Sequence, residues 1–147
     1  MTSDWTPELT LNHELLDRQH VEIFRRLQEA VTALDGPRAG LEAAVARLGD
    51  ALVDHVATEE RIMDEALYPE RVRHRTAHEM FLADFGRLRG DLGAHGPTTS
   101  VAEGIRVRIP EWLRFHILVN DQPLGLFLAR RHGPGPRLPK DDGRRPS

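Results

Sequence analysis

Apolar residues recur at intervals of three and four along most of the chain, the spacing that puts them on one face of an α-helix. Four such stretches are separated by short breaks rich in Gly and Pro, for example Asp35-Gly36-Pro37. Such residues end helices because Gly is conformationally free and Pro lacks a backbone N–H. The pattern predicts helices over about Asn12 to Leu34, Leu41 to Ala66, Glu70 to Leu92, and Thr99 or Ser100 to Arg131.

The connections between these helices are short, which makes consecutive helices antiparallel neighbours. The predicted fold is therefore all-α, an antiparallel up-down-up-down four-helix bundle. We assign residues 1–132 to this domain, since a chain of 147 residues is long enough for one substantial core. Residues 133–147 are rich in Pro, Gly and charge and have too few apolar residues to offset the entropy of ordering, so this C-terminal tail is predicted to be disordered.

The inward face of every predicted helix, which should be apolar, also carries histidine. These residues are His20 on the first helix, His55 with Glu59 on the second, His74 and His78 on the third, and His116 on the fourth. On the fourth helix, Val119 is expected to continue the same inward face after His116. One such histidine is easily satisfied by a backbone carbonyl, but burying six polar groups requires six separate compensations. A shared metal site compensates all of them together.

The spacing of these residues supports a metal site. His55 and Glu59 are four residues apart, one helical turn, and so are His74 and His78. Each pair can reach one metal ion or two adjacent ions. The chain has no cysteine, so imidazole and carboxylate groups would have to hold the metal, a donor set suited to iron, zinc or manganese.

A further carboxylate on the fourth helix has two interpretations. Asp121 follows His116 by five residues, about 140° around a regular helix, which is off the inward face. Pro123 disfavours a regular helix here, and a break or π-type bulge would turn Asp121 inward. Alternatively, Asp121 caps a new turn that begins near Pro123. Helix geometry alone leaves both interpretations open.

Together these motifs resemble the hemerythrin family, in particular its single-domain bacterial members. The resemblance covers roughly residues 5 to 130. The matching motifs are Asp17-Arg18-Gln19-His20, His55-x-x-x-Glu59-Glu60 with Met63, Tyr68-Pro69, His74-x-x-x-His78, and Trp112-Leu113-x-x-His116 with Asp121. All seven ligand positions of that family are filled, in order and at the family's intervals.

The resemblance implies a non-heme di-iron centre bridged by an oxo or hydroxo group. His74, His78 and His116 would bind one iron, and His20 and His55 the other. Glu59 and Asp121 would bridge the two ions, so the resemblance favours Asp121 as a ligand. In the family, dioxygen binds at the open position of the two-histidine iron.

The expected function is reversible dioxygen binding for storage, delivery or sensing, without enzymatic turnover as the main role. The absence of a Glu-x-x-His motif argues against the paired-motif di-iron enzymes. An enzymatic or iron-handling role is the alternative: peroxide or nitric oxide reduction, or iron donation for repair. A metal-free helical interaction module is a third hypothesis, which the six inward polar residues disfavour.

Charge and hydropathy bear on location and partners. The net charge of −3 gives no case for nucleic-acid binding, and no apolar run reaches the roughly 18 residues of a membrane span. The N-terminus does not resemble a signal peptide. We therefore expect a cytoplasmic protein, and we take it to be a monomer or weak oligomer. The basic tail is interpreted as an inert extension, with docking to an unidentified protein partner as the alternative.

Several residues qualify these expectations. Pro110 and Pro123 put the path of the fourth helix in doubt. Ile23, Phe24, Leu52, Val56, Trp112 and Leu113 flank the predicted ligands and are expected to form a dry, apolar pocket. Three further histidines, His13, His95 and His132, are not counted as ligands, Glu60 is expected at the surface or beside a ligand, and Met63 in the core.

Overall fold

A computed structural model describes residues 4–132 of the chain. The chain forms three long helices: α1 (Glu14–Ala33), α2 (Arg38–Glu65) and α3 (Arg71–His95). A fourth helix, α4, follows over residues 99–132. The model confirms the predicted all-α four-helix bundle, and the observed helix ends lie within about three residues of the predicted ends. Residues 133–147, for which we predict disorder, lie outside the described residues. None of the described helices is long and apolar enough to cross a membrane.

Local chemistry explains where the helices begin and end. The His13 side chain caps α1 by accepting a hydrogen bond from the backbone N–H of Leu16. After α2, Leu67 adopts a left-handed conformation with φ of 55°, and the Tyr68 N–H donates to the Met63 carbonyl at 2.9 Å. This bond reverses the chain in a tight turn and lets α3 return along the bundle.

The helices bury the apolar faces that the sequence predicts, with one shift in α4. Leu16, Ile23, Leu27, Leu48, Leu52, Phe81, Phe85, Ile105 and Ile109 all lie in the core. Val119, expected to continue the inward face of α4, is instead 42% exposed. That expectation was wrong because α4 is not a regular helix throughout.

Two π-helical turns interrupt α4, at Gly104–Arg108 and at Ile117–Asp121. After each, the next residue bonds five positions back: Ile109 to the Gly104 carbonyl and Gln122 to the Ile117 carbonyl. A proline follows two residues after each π turn, at Pro110 and Pro123. Because proline cannot donate to the helix ladder, the wider turn falls where regular bonding is already lost. Both prolines are thereby accommodated without ending α4.

The N-terminal segment before α1 is fixed against α1 and the end of α4. Asp17 accepts hydrogen bonds from the Thr10 hydroxyl at 2.7 Å and the Leu11 N–H at 2.8 Å. The Gln122 amide donates to the carbonyls of Glu8 and Thr10. At Gly125, a Cβ atom would lie 2.7 Å from the Leu11 carbonyl oxygen, so this contact requires glycine.

Candidate metal centre

The four helices bring all seven predicted ligands together inside the bundle. α1 contributes His20, α2 His55 and Glu59, α3 His74 and His78, and α4 His116 and Asp121. Each of the seven is at most 5% exposed, and both carboxylate residues are fully buried. Apart from Asn120, they are the buried polar or charged residues of the described chain. Their role as ligands stays a prediction, but their convergence is a property of the fold.

The second π turn of α4 decides between the two interpretations of Asp121. The turn adds about one residue to the helix and rotates Asp121 to the inward side, whereas Val119 moves outward. α4 continues from Gln122 without a break, so no new helix starts there for Asp121 to cap. The inward interpretation is the one that the structure adopts.

The two carboxylates divide the histidines into a group of three and a group of two. Asp121 Oδ1 lies 2.9 Å from His74 Nε2 and 3.1 Å from His116 Nε2, and Glu59 Oε1 lies 3.0 Å from His78 Nε2. The other oxygens face the second group. Asp121 Oδ2 lies 3.0 Å from His20 Nε2, and Glu59 Oε2 lies 3.5 Å from His55 Nε2.

Cations fit this arrangement because seven of its nine donor atoms are otherwise unpaired, while His20 Nε2 and His55 Nε2 contact each other at 3.1 Å. Despite the short separations, both oxygens of Glu59 and of Asp121 lack a hydrogen-bond partner in the described structure, as do the Nε2 atoms of His74, His78 and His116. Buried polar atoms normally find partners, and an unsatisfied carboxylate is especially costly. The donor atoms form two overlapping sets, each within 4.8 Å, that share both carboxylates. Two adjacent cations would satisfy the whole set.

Three of the five histidines are also held at the opposite ring nitrogen. His55 Nδ1 lies 2.8 Å from the Gln19 side-chain oxygen, His78 Nδ1 lies 3.0 Å from the Glu60 carboxylate, and His116 Nδ1 lies 3.1 Å from the Asn120 amide. Such contacts fix the ring orientation and leave Nε2 directed at the site. Glu60 therefore has the expected place beside a ligand.

In the metal-free protein, the buried carboxylates and histidines of the centre shift each other's pKa values. Burial alone would raise the pKa of Asp121, but the nearby His116, His20 and His74 hold it well below its usual range. Burial and Asp121 likewise oppose ionisation of Glu59, yet His55 and His74 lower its pKa. In turn, burial disfavours protonated His74, but Asp121 and Glu59 raise its pKa to about 9. Cations bound in the site would displace the proton that the raised pKa keeps on His74.

A cavity of about 20 Å³ adjoins the centre and is lined by Asp121 and by four of the five histidines: His20, His55, His78 and His116. Its lining also includes all six residues predicted to form the dry pocket: Ile23, Phe24, Leu52, Val56, Trp112 and Leu113. A space of this size holds one very small molecule.

The remaining histidines of known position lie apart from the centre: His13 caps α1 and His95 is exposed at the end of α3. Met63 is in the core.

Two contacts of the centre were not identified from the sequence. Asn120 follows His116 by four residues, one turn later, which was a usable signal for a residue that touches its ring. Gln19 directly precedes the predicted ligand His20 on α1, but its side chain contacts His55 on the neighbouring helix α2. That contact depends on how α1 and α2 pack, which the sequence pattern does not specify.

A four-helix bundle that buries five histidines and two carboxylates together has the donor set of a histidine-rich metal-binding protein. A family profile described as Hemerythrin HHE cation binding domain matches residues 11–125. The chain belongs to this hemerythrin family, and its cluster of His, Glu and Asp supports iron binding.

Curated relatives agree with this assignment over most of the chain. A bacteriohemerythrin of Stenotrophomonas maltophilia is 30% identical over 124 residues, covering 80% of this chain and 76% of the relative. A bacteriohemerythrin of Pseudomonas paraeruginosa is 29% identical over 133 residues, covering 87% of this chain and 81% of the relative. The resemblance inferred from the sequence motifs is confirmed.

Proposed function

We propose that this protein binds dioxygen reversibly at a di-iron centre. His74, His78 and His116 would hold one iron, His20 and His55 the other, and Glu59 and Asp121 would bridge them. The observation that carries this proposal is the division of each carboxylate, which turns one oxygen toward the group of three histidines and the other toward the group of two. A diferrous centre held there would supply the two electrons that reversible dioxygen binding requires.

The unequal division of the histidines favours an external ligand on one side. The group of two supplies one nitrogen fewer than the group of three, so its metal would keep an open position. Both histidines of this group, His20 and His55, line the small apolar cavity, and so do His78 and His116 of the other group but not His74. The position thus faces a space large enough for a diatomic molecule and too small for an organic substrate.

The surrounding residues suit a carrier better than an enzyme. Beyond the predicted ligands, the cavity is lined by aliphatic and aromatic side chains, which exclude water and offer no additional acid or base. Gln19 and Glu60 hold His55 and His78 at their Nδ1 atoms, which keeps the Nε2 atoms aimed at the centre. These features would slow proton delivery to bound ligand, so we propose that turnover is not the main role.

Anaerobic loading with ferrous iron tests the proposal. We expect two irons per chain, charge-transfer absorption on exposure to air, and loss of that absorption when dioxygen is removed. His74→Ala should lower the iron content, whereas His95→Ala, an exposed histidine on the same helix, should not. Full iron content in His74→Ala would contradict the assigned centre. Sustained consumption of peroxide or nitric oxide would favour the enzymatic alternative instead.

A further inference from the structure

A groove of about 520 Å³ lies between α3 and the first half of α4. Its rim carries the exposed residues Asp84, Arg87, Asp91 and Arg108, and its floor is apolar. This groove is separate from the small cavity at the metal centre. Two residues, Phe81 and Trp112, line both spaces, so they are the partition between them.

The partition is a closely stacked pair of rings. The ring centroids of Phe81 and Trp112 are 3.7 Å apart, with 16° between their planes. This separation is near van der Waals contact, which leaves no room for a molecule between the rings. Trp112 is stacked on its other side against His116, at 4.6 Å and 12°. One face of the partition therefore touches a predicted ligand, and the other belongs to the groove.

The packing around the pair determines which ring can move. Trp112 is confined between Phe81 and His116, both of which are buried. Phe81 adjoins the groove, whose volume can accept its ring without compressing the core. On the opposite side of the cavity, Ile23, Phe24 and Leu52 are at most 3% exposed and pack in the core. Val56 of α2 is half-buried and is the competing point of entry.

We propose that the stacked Phe81–Trp112 pair is a gate through which small ligands pass between the α3–α4 groove and the metal cavity. The gate opens when the Phe81 ring turns into the groove. The identity of the ligand as dioxygen rests on the proposed function, but the position of the gate does not. Phe85 provides a matched control, because it lies one turn further along α3, lines the groove and does not line the cavity.

Azide binding to the ferric protein measures passage through the gate. A lower barrier speeds entry and exit equally, so Phe81→Leu should raise the association and dissociation rates by the same factor, at least about fivefold. The Kd and the optical spectrum of the azide complex should be unchanged. Phe85→Leu should leave both rates at the parental values. A changed Kd with only one altered rate, or faster rates in Val56→Ala but not in Phe81→Leu, would overturn the proposal.

A second measurement does not depend on iron. In metal-free Trp5→Phe protein, Trp112 is the sole tryptophan, and dissolved dioxygen should quench its fluorescence more strongly once Phe81→Leu is added. Phe85→Leu should have no such effect, and equal quenching in all three proteins would refute the gate. Phe81→Met replaces Phe81→Leu if the latter does not fold. Azide binding without reversible dioxygen binding would refute the proposed function and leave the gate standing.

Discussion

Glu60 is the charged contact among the side chains that hold the histidine rings from outside the centre. Its carboxylate accepts a hydrogen bond from His78 and lies 3.5 Å from Arg75, whereas Gln19 and Asn120 offer neutral amides. An anionic acceptor makes the imidazole a stronger donor to a metal and fixes its tautomer. Glu60 therefore belongs functionally to the centre, although its side chain is 25% exposed.

Replacing Glu60 with Gln should weaken metal binding roughly tenfold, the lower end of the effect of such supporting residues. The amide can still contact His78 but carries no charge. Competition with a chelator for Zn²⁺ or ferrous iron would measure the loss. Glu65→Gln on the same helix, which alters only an exposed pair with Arg61, should bind as the parent does. Equal affinity in the two variants would count against this role for Glu60.

The metal-free protein should lose stability as the pH rises from about 6.5 to 9. His74 has a pKa raised to about 9 by Asp121 and Glu59 against the opposing effect of burial. A raised pKa stabilises the folded state below pH 6.5 and ceases to do so above pH 9, a change of up to about 3 kcal/mol. Chemical denaturation in the presence of a chelator would measure it. His74→Gln should flatten this dependence, and His95→Gln should preserve it.

The metal-free protein should also be destabilised by acid. Glu59 and Asp121 have pKa values held below their ordinary range, so their contribution is present above that range and is lost as the pH falls through their folded values. The stability of the metal-free chain should therefore be greatest between about pH 5 and 6.5. A maximum at pH 9 would contradict the electrostatic account of the centre.

Among the four helices, α4 is the one whose inward-facing residues the sequence pattern does not fully predict. The first three helices follow a regular period, so His20, His55, Glu59, His74 and His78 could be placed on inward faces directly. In α4 the π turn over Ile117–Asp121 exchanges the positions of Val119 and Asp121. A period of 3.6 residues cannot represent that shift. Asp121 was identified from the family motif and not from helix geometry.

The turn between α2 and α3 contains a residue with a strained backbone conformation, and a substitution can relieve that strain. Leu67 has a left-handed backbone and a side chain that is 68% exposed, so it suffers the Cβ clash while contributing little packing. Leu67→Gly should stabilise the protein by about 0.5–1 kcal/mol. Leu67→Ala retains the Cβ atom and should change stability little. Thermal or urea unfolding of the three proteins would compare them, and a destabilised Gly variant would refute the strain.

Across the whole molecule, the centre connects all four helices, so metal binding and folding are coupled. A metal that binds only the folded chain stabilises it by about 4 kcal/mol when free metal exceeds Kd a thousandfold. Removing the metal should lower the unfolding midpoint and leave buried carboxylates to be compensated by protons. Calorimetry of loaded and chelated protein would test this. The same midpoint in both forms would indicate that the centre does not bind metal tightly.

The placement of the ligands also has a mechanical consequence. The first lies at His20 and the last at Asp121, so a loaded centre ties the chain to itself across most of its length. Under tension applied to the termini, only the segments outside these two residues can extend while the centre holds. Its rupture would release roughly 100 residues at once, a step of roughly 350 Å at full extension. Force spectroscopy should record this single long step in the loaded chain, and gradual lengthening at lower force once a chelator has removed the metal.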